Sequence, residues 1–185
     1  MHILRNSLAI RPLHIIDISL LAKWLSNPEI LFYYEGRDNA FDKEKARKVF
    51  FNPLDPAQKC IFSYKEKPIG YVQYYELDVD EKTEFGYLGK QQIYGMDQFI
   101  GETAYWNKGI GTLLVQTMVQ LLKKEKQAEM IVMDPQAWNE RAIRCYEKGG
   151  FQKVKVLPKH EWHEGSYRDC WLMEWRGDAY ENTAT

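Results

Sequence analysis

The chain has 185 residues, 45% of them hydrophobic, 28% charged and 14% aromatic. That composition fits a single globular domain with a real core and excludes a solvated, unpacked chain. Twenty-five Lys and Arg against 26 Asp and Glu give a formal charge of −1, so no global field recruits nucleic acid or an anionic membrane surface.

Three cysteines, Cys60, Cys145 and Cys170, show no CxxC spacing. This argues against a disulfide framework or structural zinc, and for a reducing, cytoplasmic setting. No apolar run approaches the ~18 residues of a membrane span. The N-terminus lacks the apolar stretch of a signal peptide. One domain is expected over residues 1–177, with 178–185 as a polar tail.

In chain order, Leu8 to Leu13 reads as a first strand. Asp17 and Ser19 offer caps for a helix through Leu20, Leu21, Trp24 and Leu25, ended by Asn27-Pro28. An aromatic-rich loop or short helix follows to Asp38, then a second helix from Phe41 to Phe51. Cys60–Tyr64 and Ile69–Tyr75 read as a hairpin across Lys65-Glu66-Lys67-Pro68. Residues 78–90 are polar and read as a loop.

Gln92 to Ile100 reads as a strand. Gly109 to Gln127 carries Ile110, Leu113, Leu114, Thr117, Met118, Leu121 and Leu122 at helical spacing. Its last turn holds Lys123, Lys124 and Lys126, which suit the negative end of the helix dipole. Glu129 to Asp134 reads as a buried strand, and Asn139 caps a helix that stops at Gly149-Gly150. Phe151–Leu157 and Asp169–Trp175 close the fold as strands. Alternating strands and helices give a mixed α/β class, one sheet covered by helices.

Two segments carry chemistry. The first is Lys108-Gly109-Ile110-Gly111-Thr112, between a strand and an amphipathic helix. Glycines there let a ligand approach the backbone, and the free N–H groups of a helix start suit an anion such as a pyrophosphate. The segment fits neither GxxxxGK[ST] nor GxGxxG, which disfavours ATP and NAD. The second is Asn139 to Phe151, where Ala142 and Tyr146 share a helix face. A phenol there can donate a proton, and the small Ala142 leaves room for a ligand chain. Taken alone, a tyrosine at this position is more often a core residue.

Together, the order strand, K-G-I-G-T, amphipathic helix, strand, N-x-x-A-I-x-x-Y-x-x-x-G-F resembles the two acyl-CoA-binding motifs of the GNAT N-acetyltransferase superfamily. The resemblance covers roughly residues 92–152 by motif and the rest by element order. It implies a central mixed sheet flanked by helices, with acetyl-CoA as cosubstrate and no metal. Lys108, Gly109, Ile110, Gly111, Thr112, Asn139 and Ala142 would hold the cofactor. One departure is Trp106, where the superfamily often has Gln or Arg.

The segments Tyr94 to Glu102, Asp134-Pro135, Arg141 to Arg144, Leu157 to Glu161 and His163-Glu164-Gly165 are similar to the aminoglycoside 6'-N-acetyltransferases. So are Lys23-Trp24-Leu25 and Gly36-Arg37-Asp38. Within that family the likeness is nearest to the acetyltransferase half of the bifunctional Gram-positive resistance enzymes, with no counterpart of their kinase half in these residues. The implied activity is acetyl transfer to the 6'-amino group of a cationic aminoglycoside.

A polycation needs carboxylates, since each ammonium must exchange water for charge-assisted hydrogen bonds. Asp97, Glu102, Asp134, Glu161 and Glu164 are the candidates, and Trp24 and Tyr74 the candidate stacking platforms for sugar rings. Asp97, Asp134 and at least one of Glu161 or Glu164 are expected to converge on one cavity beside the thioester. Asp97, inside an apolar strand, is the candidate base or a substrate-binding acid, and Tyr146 the candidate proton donor to the departing thiolate.

His160 and His163 lack a third ligand at metal-site spacing, and Cys145 lacks a base, so neither metal nor thiol catalysis is expected. Other amine acceptors (a siderophore hydroxylysine, a protein N-terminus) and a non-catalytic acyl-CoA-binding module stay open. The chain is expected to work as a monomer or homodimer.

Overall fold

A computed structural model describes residues 3–177. Eight strands form one sheet: β1 (Ile3–Arg5), β2 (Leu8–Pro12), β3 (Gln58–Tyr64), β4 (Lys67–Glu76), β5 (Ile93–Ile100), β6 (Met130–Met133), β7 (Gln152–His163) and β8 (Ser166–Arg176). Their order is β1-β2-β3-β4-β5-β6-β8-β7. Six α-helices accompany them among the described residues: α1 (Ile18–Trp24), α2 (Pro28–Leu31), α3 (Lys43–Phe50), α4 (Val79–Phe85), α5 (Ile110–Lys126) and α6 (Glu140–Lys148). Among the described residues no helix is long and apolar enough to cross a membrane.

The ladders from β1 to β4 are antiparallel, β5 and β6 run parallel, and β6 and β8 antiparallel. The parallel ladder joins only Ile93–Gly95 to Met130–Val132, so β5 from Met96 onward lies outside it.

Two compact units interleave along the chain. The first holds residues 3–74, with Asp97–Ile110 and Trp162–Ser166. The second holds Tyr75–Met96, Gly111–Glu161 and residues 167–177. The core of the first is built by Leu21, Trp24, Leu25, Phe50, Tyr71 and Phe99. In the second, Leu77, Ile93, Met130, Val132, Leu157 and Leu172 pack together.

The structure corrects three sequence expectations. Residues 79–85 are helical. Asp78 accepts from Glu81 N, Glu81 accepts from Asp78 N, and Gly86 closes the helix with φ +80. This capping box and left-handed terminus outweigh the polar composition of the segment. Asn27-Pro28 begins a helix as well as following one: Asn27 accepts from Glu29 N, and Pro28 takes the first turn, where its missing N–H costs nothing. Finally, β7 continues through Pro158 to His163, so Lys159, His160 and Glu161 lie in a strand rather than a loop. Lys159 has φ 50, and its N–H is taken by Asp169 Oδ1 at 2.8 Å, which holds the strand through that irregularity.

Candidate active site

Helix α5 starts at Ile110, one residue after Gly109. Gly109 has φ +75, and a Cβ built on it meets nothing within 4 Å. The backbone there is in the left-handed region that favours glycine, beside open space. Ile110 is buried, Gly111 and Thr112 half-buried, and Lys108 exposed. The first N–H groups of a 17-residue helix have no intrahelical acceptors, so this terminus offers donors to an anion. Trp106 does not point a polar group outward: its indole N–H donates to Ile100 O at 2.9 Å, and its ring meets Tyr33 edge-on.

The second motif is held beside the first. Thr112 Oγ1 lies 3.7 Å from Cys145 Sγ, and Gln116 Nε2 donates to Lys148 O at 3.3 Å. Asn139 caps α6, accepting from Ala142 N at 3.2 Å. Tyr146 is buried, its ring 6.4 Å from that of Phe151. Burial pushes the Cys145 thiol up, which disfavours a thiolate nucleophile.

Asp97 stands half-buried on β5. Gln73 Nε2 donates to its Oδ2 at 2.9 Å, and Tyr71 hydroxyl donates to Gln73 Oε1 at 2.7 Å. Sequence reasoning missed Gln73. Its signal is a polar residue between Val72 and Tyr74, both buried, in an otherwise apolar strand.

Four other expected residues, Glu102, Glu164, Trp24 and Tyr74, are engaged within the fold. Glu102 accepts from Lys23 at 2.5 Å and from the Trp24 indole at 3.0 Å, and the Lys23 ammonium above all lowers its pKa. Glu164 pairs with Arg37 at 2.6 and 2.7 Å, which holds its carboxyl down to about 2. Trp24 is fully buried, so it is a core residue and not a solvent-facing platform for a sugar. Tyr74 is nearly so, at 5% exposure.

Asp134 follows β6 and is half-buried. Its Oδ2 lies 2.9 Å from His160 Nε2, while His160 Nδ1 lies 3.2 Å from Glu84 Oε1. The hydrogen bond that His160 gives to Asp134 raises the pKa of His160. His160 also feels the charges of Glu84 and Glu161, and Glu81 feels those of Asp134 and Glu84. Three carboxylates, Asp134, Glu84 and Glu161, therefore act on one imidazole. The two α4 carboxylates escaped sequence reasoning because 78–90 read as a loop; the D-x-x-E capping pattern was the available signal. Among the described residues no three His, Cys, Asp or Glu side chains gather as a metal site.

The fold and the site define an acyl-CoA-dependent N-acyltransferase scaffold, and comparison with known proteins agrees. A model of the acetyltransferase (GNAT) domain matches residues 16–158. The chain belongs to the GNAT acetyltransferase family. It is 30% identical over 158 residues to aminoglycoside N(6')-acetyltransferase type 1 of Klebsiella pneumoniae, across 80% of this chain and 75% of that protein. It is 43% identical over 61 residues to the kanamycin resistance protein of Rhizobium radiobacter, covering 33% of this chain and 56% of that one. In fold it is similar to AAC(6')-Ib solved with ribostamycin and coenzyme A, at a TM-score of 0.78, 24% identity, and coverage of 97% of this chain and 99% of that one.

Proposed function

We propose that this chain transfers acetyl from acetyl-CoA to the 6'-amino group of aminoglycosides, by direct attack of the amine. The observation that carries the reading is the 30% identity to an aminoglycoside N(6')-acetyltransferase over 80% of the chain. The residues at the start of α5 suit the cofactor: a helix terminus offers donors to a pyrophosphate, and a side chain at Gly109 would intrude on open space.

Acetyl-CoA supplies the activated acetyl group. Lys108, Gly109, Ile110, Gly111 and Thr112 hold its pyrophosphate, mainly by backbone N–H groups. Asn139 fixes the start of α6, and Ala142 leaves space beside it. Asp97 accepts the proton of the incoming ammonium, directly or through a water it orients. The nitrogen forms its bond to the acetyl carbon as the carbon–sulfur bond breaks, Tyr146 gives the departing sulfur a proton, and the acylated nitrogen releases its remaining extra proton, which restores the phenol through water. Backbone N–H groups of the strand from Tyr94 polarise the carbonyl. Asp134 and Glu161 bind acceptor ammonium groups, which take the place of the His160 contact on Asp134. Glu102 and Glu164, already paired to Lys23 and Arg37, shape the surrounding structure. Holding amine and thioester together supplies a large share of the rate.

The test is thiol release from acetyl-CoA against kanamycin, gentamicin, spermidine and a peptide with a free N-terminus, with NMR locating the acetyl group. Turnover of kanamycin with acetyl on the 6' nitrogen is expected. Turnover of the peptide alone overturns the reading.

A further inference from the structure

We propose that Gln73 is a positioning residue for Asp97, itself held in place by the buried hydroxyl of Tyr71. The inference rests on the reading of Asp97 as the proton acceptor.

Tyr71 and Gln73 stand two residues apart on β4, and so share one face. Phe99 and Asp97 do the same on β5. The two pairs meet: the Tyr71 ring stacks on Phe99 with centroids 5.6 Å apart, and Gln73 bonds Asp97. An apolar contact thus anchors the strand faces beside a polar one. Tyr71 has no exposed surface, so its hydroxyl is out of reach of bulk water.

The chain of donors has one consistent direction. An ionised Asp97 can only accept, so the Gln73 amide must turn its NH2 toward it. That leaves Gln73 Oε1 for Tyr71, whose hydroxyl must then donate. Burial and the charge of Asp97 push the Tyr71 phenol far above its ordinary value, so it keeps its proton. A flipped amide would set an oxygen against the carboxylate, so the carboxylate fixes the direction of the chain. The arrangement therefore favours the anion of Asp97 and fixes its plane. A base needs both properties: it must be ionised at the working pH, and aimed at the amine.

The experiment compares Gln73→Leu, Tyr71→Phe and Asp97→Asn. In Gln73→Leu the acid limb of the kcat profile should move up by about one pH unit, with kcat down about tenfold. The Asp97 carboxyl, followed by NMR in labelled protein without substrate, should move the same way. Tyr71→Phe keeps the ring and its stacking, and should shift the limb in the same direction by less. The acetyl-CoA KM should stay within about twofold in all three. An unmoved acid limb and an unmoved Asp97 titration in Gln73→Leu, together with an inactive Asp97→Asn, overturn the positioning role and leave the proton acceptor in place. Full kcat in Asp97→Asn overturns both.

Discussion

His160 lies between two carboxylates, with Nε2 2.9 Å from Asp134 Oδ2 and Nδ1 3.2 Å from Glu84 Oε1. The imidazolium satisfies both, and its pKa is raised above the ordinary 6.5 by the Asp134 bond. A raised folded pKa means the stabilisation is complete below the unfolded value and is lost as pH climbs through the folded one. Wild type should therefore exceed His160→Gln in Tm at about pH 5.5, with the gap closing toward about pH 8.5. Thermal unfolding across that range checks this, and a gap that widens with pH would refute it. Deprotonation also leaves Asp134 without its cation, so the KM for the aminoglycoside should vary with pH more in wild type than in His160→Gln.

Gly109→Ala separates folding from cofactor binding. Its φ of +75 and the open space around its Cβ mean the protein alone pays only a backbone penalty, of about 1–2 kcal/mol. That corresponds to a Tm drop of a few degrees, roughly 2–8 °C. If the open space is the cofactor's, the KM for acetyl-CoA should rise about tenfold or more, a cost of ~1.4 kcal/mol in binding. A lowered Tm with unchanged acetyl-CoA affinity would place the cradle elsewhere.

Tyr146→Phe removes one oxygen from a ring that is 8% exposed and keeps its packing near Phe151. As a general acid, its loss should lower kcat by about 10²-fold while acetyl-CoA binding holds. Pre-steady-state release of CoA, followed by thiol trapping, distinguishes a slowed chemical step from slow product release. An unchanged chemical step assigns the phenol to packing.

Gly101 and Trp24 are in closer contact than any side chain would allow. A Cβ on Gly101 would overlap the Trp24 ring, lying 2.6 Å from Cδ1 and nearer still to its neighbours. Trp24 cannot retreat, because it is fully buried, meets Phe99 edge-on, and donates to Glu102 at 3.0 Å. Gly101→Ala should destabilise the protein by about 2–3 kcal/mol through overpacking. Urea unfolding measures it, and a loss below ~0.5 kcal/mol would show that the ring yields.

Much of this protein is legible along the chain because it is local. The period of Ile110, Leu113, Leu114 and Met118 makes α5, the apolar run Ile131-Val132-Met133 makes β6, and Asn139 caps α6 as its side chain requires. The two cofactor motifs are equally local, each a loop feeding a helix start. What composition hid was α4, since capping acids look like any polar loop until their bonds close. Only the tertiary structure could decide which partner each carboxylate meets. Lys23 and Glu102 are 79 positions apart, and Arg37 and Glu164 are 127 apart. No spacing rule reaches so far, because such pairs depend on how strands and loops are brought together. The same holds for Gln73 and Asp97, 24 positions apart: alternation along each strand assigns a face, but only strand packing turns two faces into one hydrogen bond.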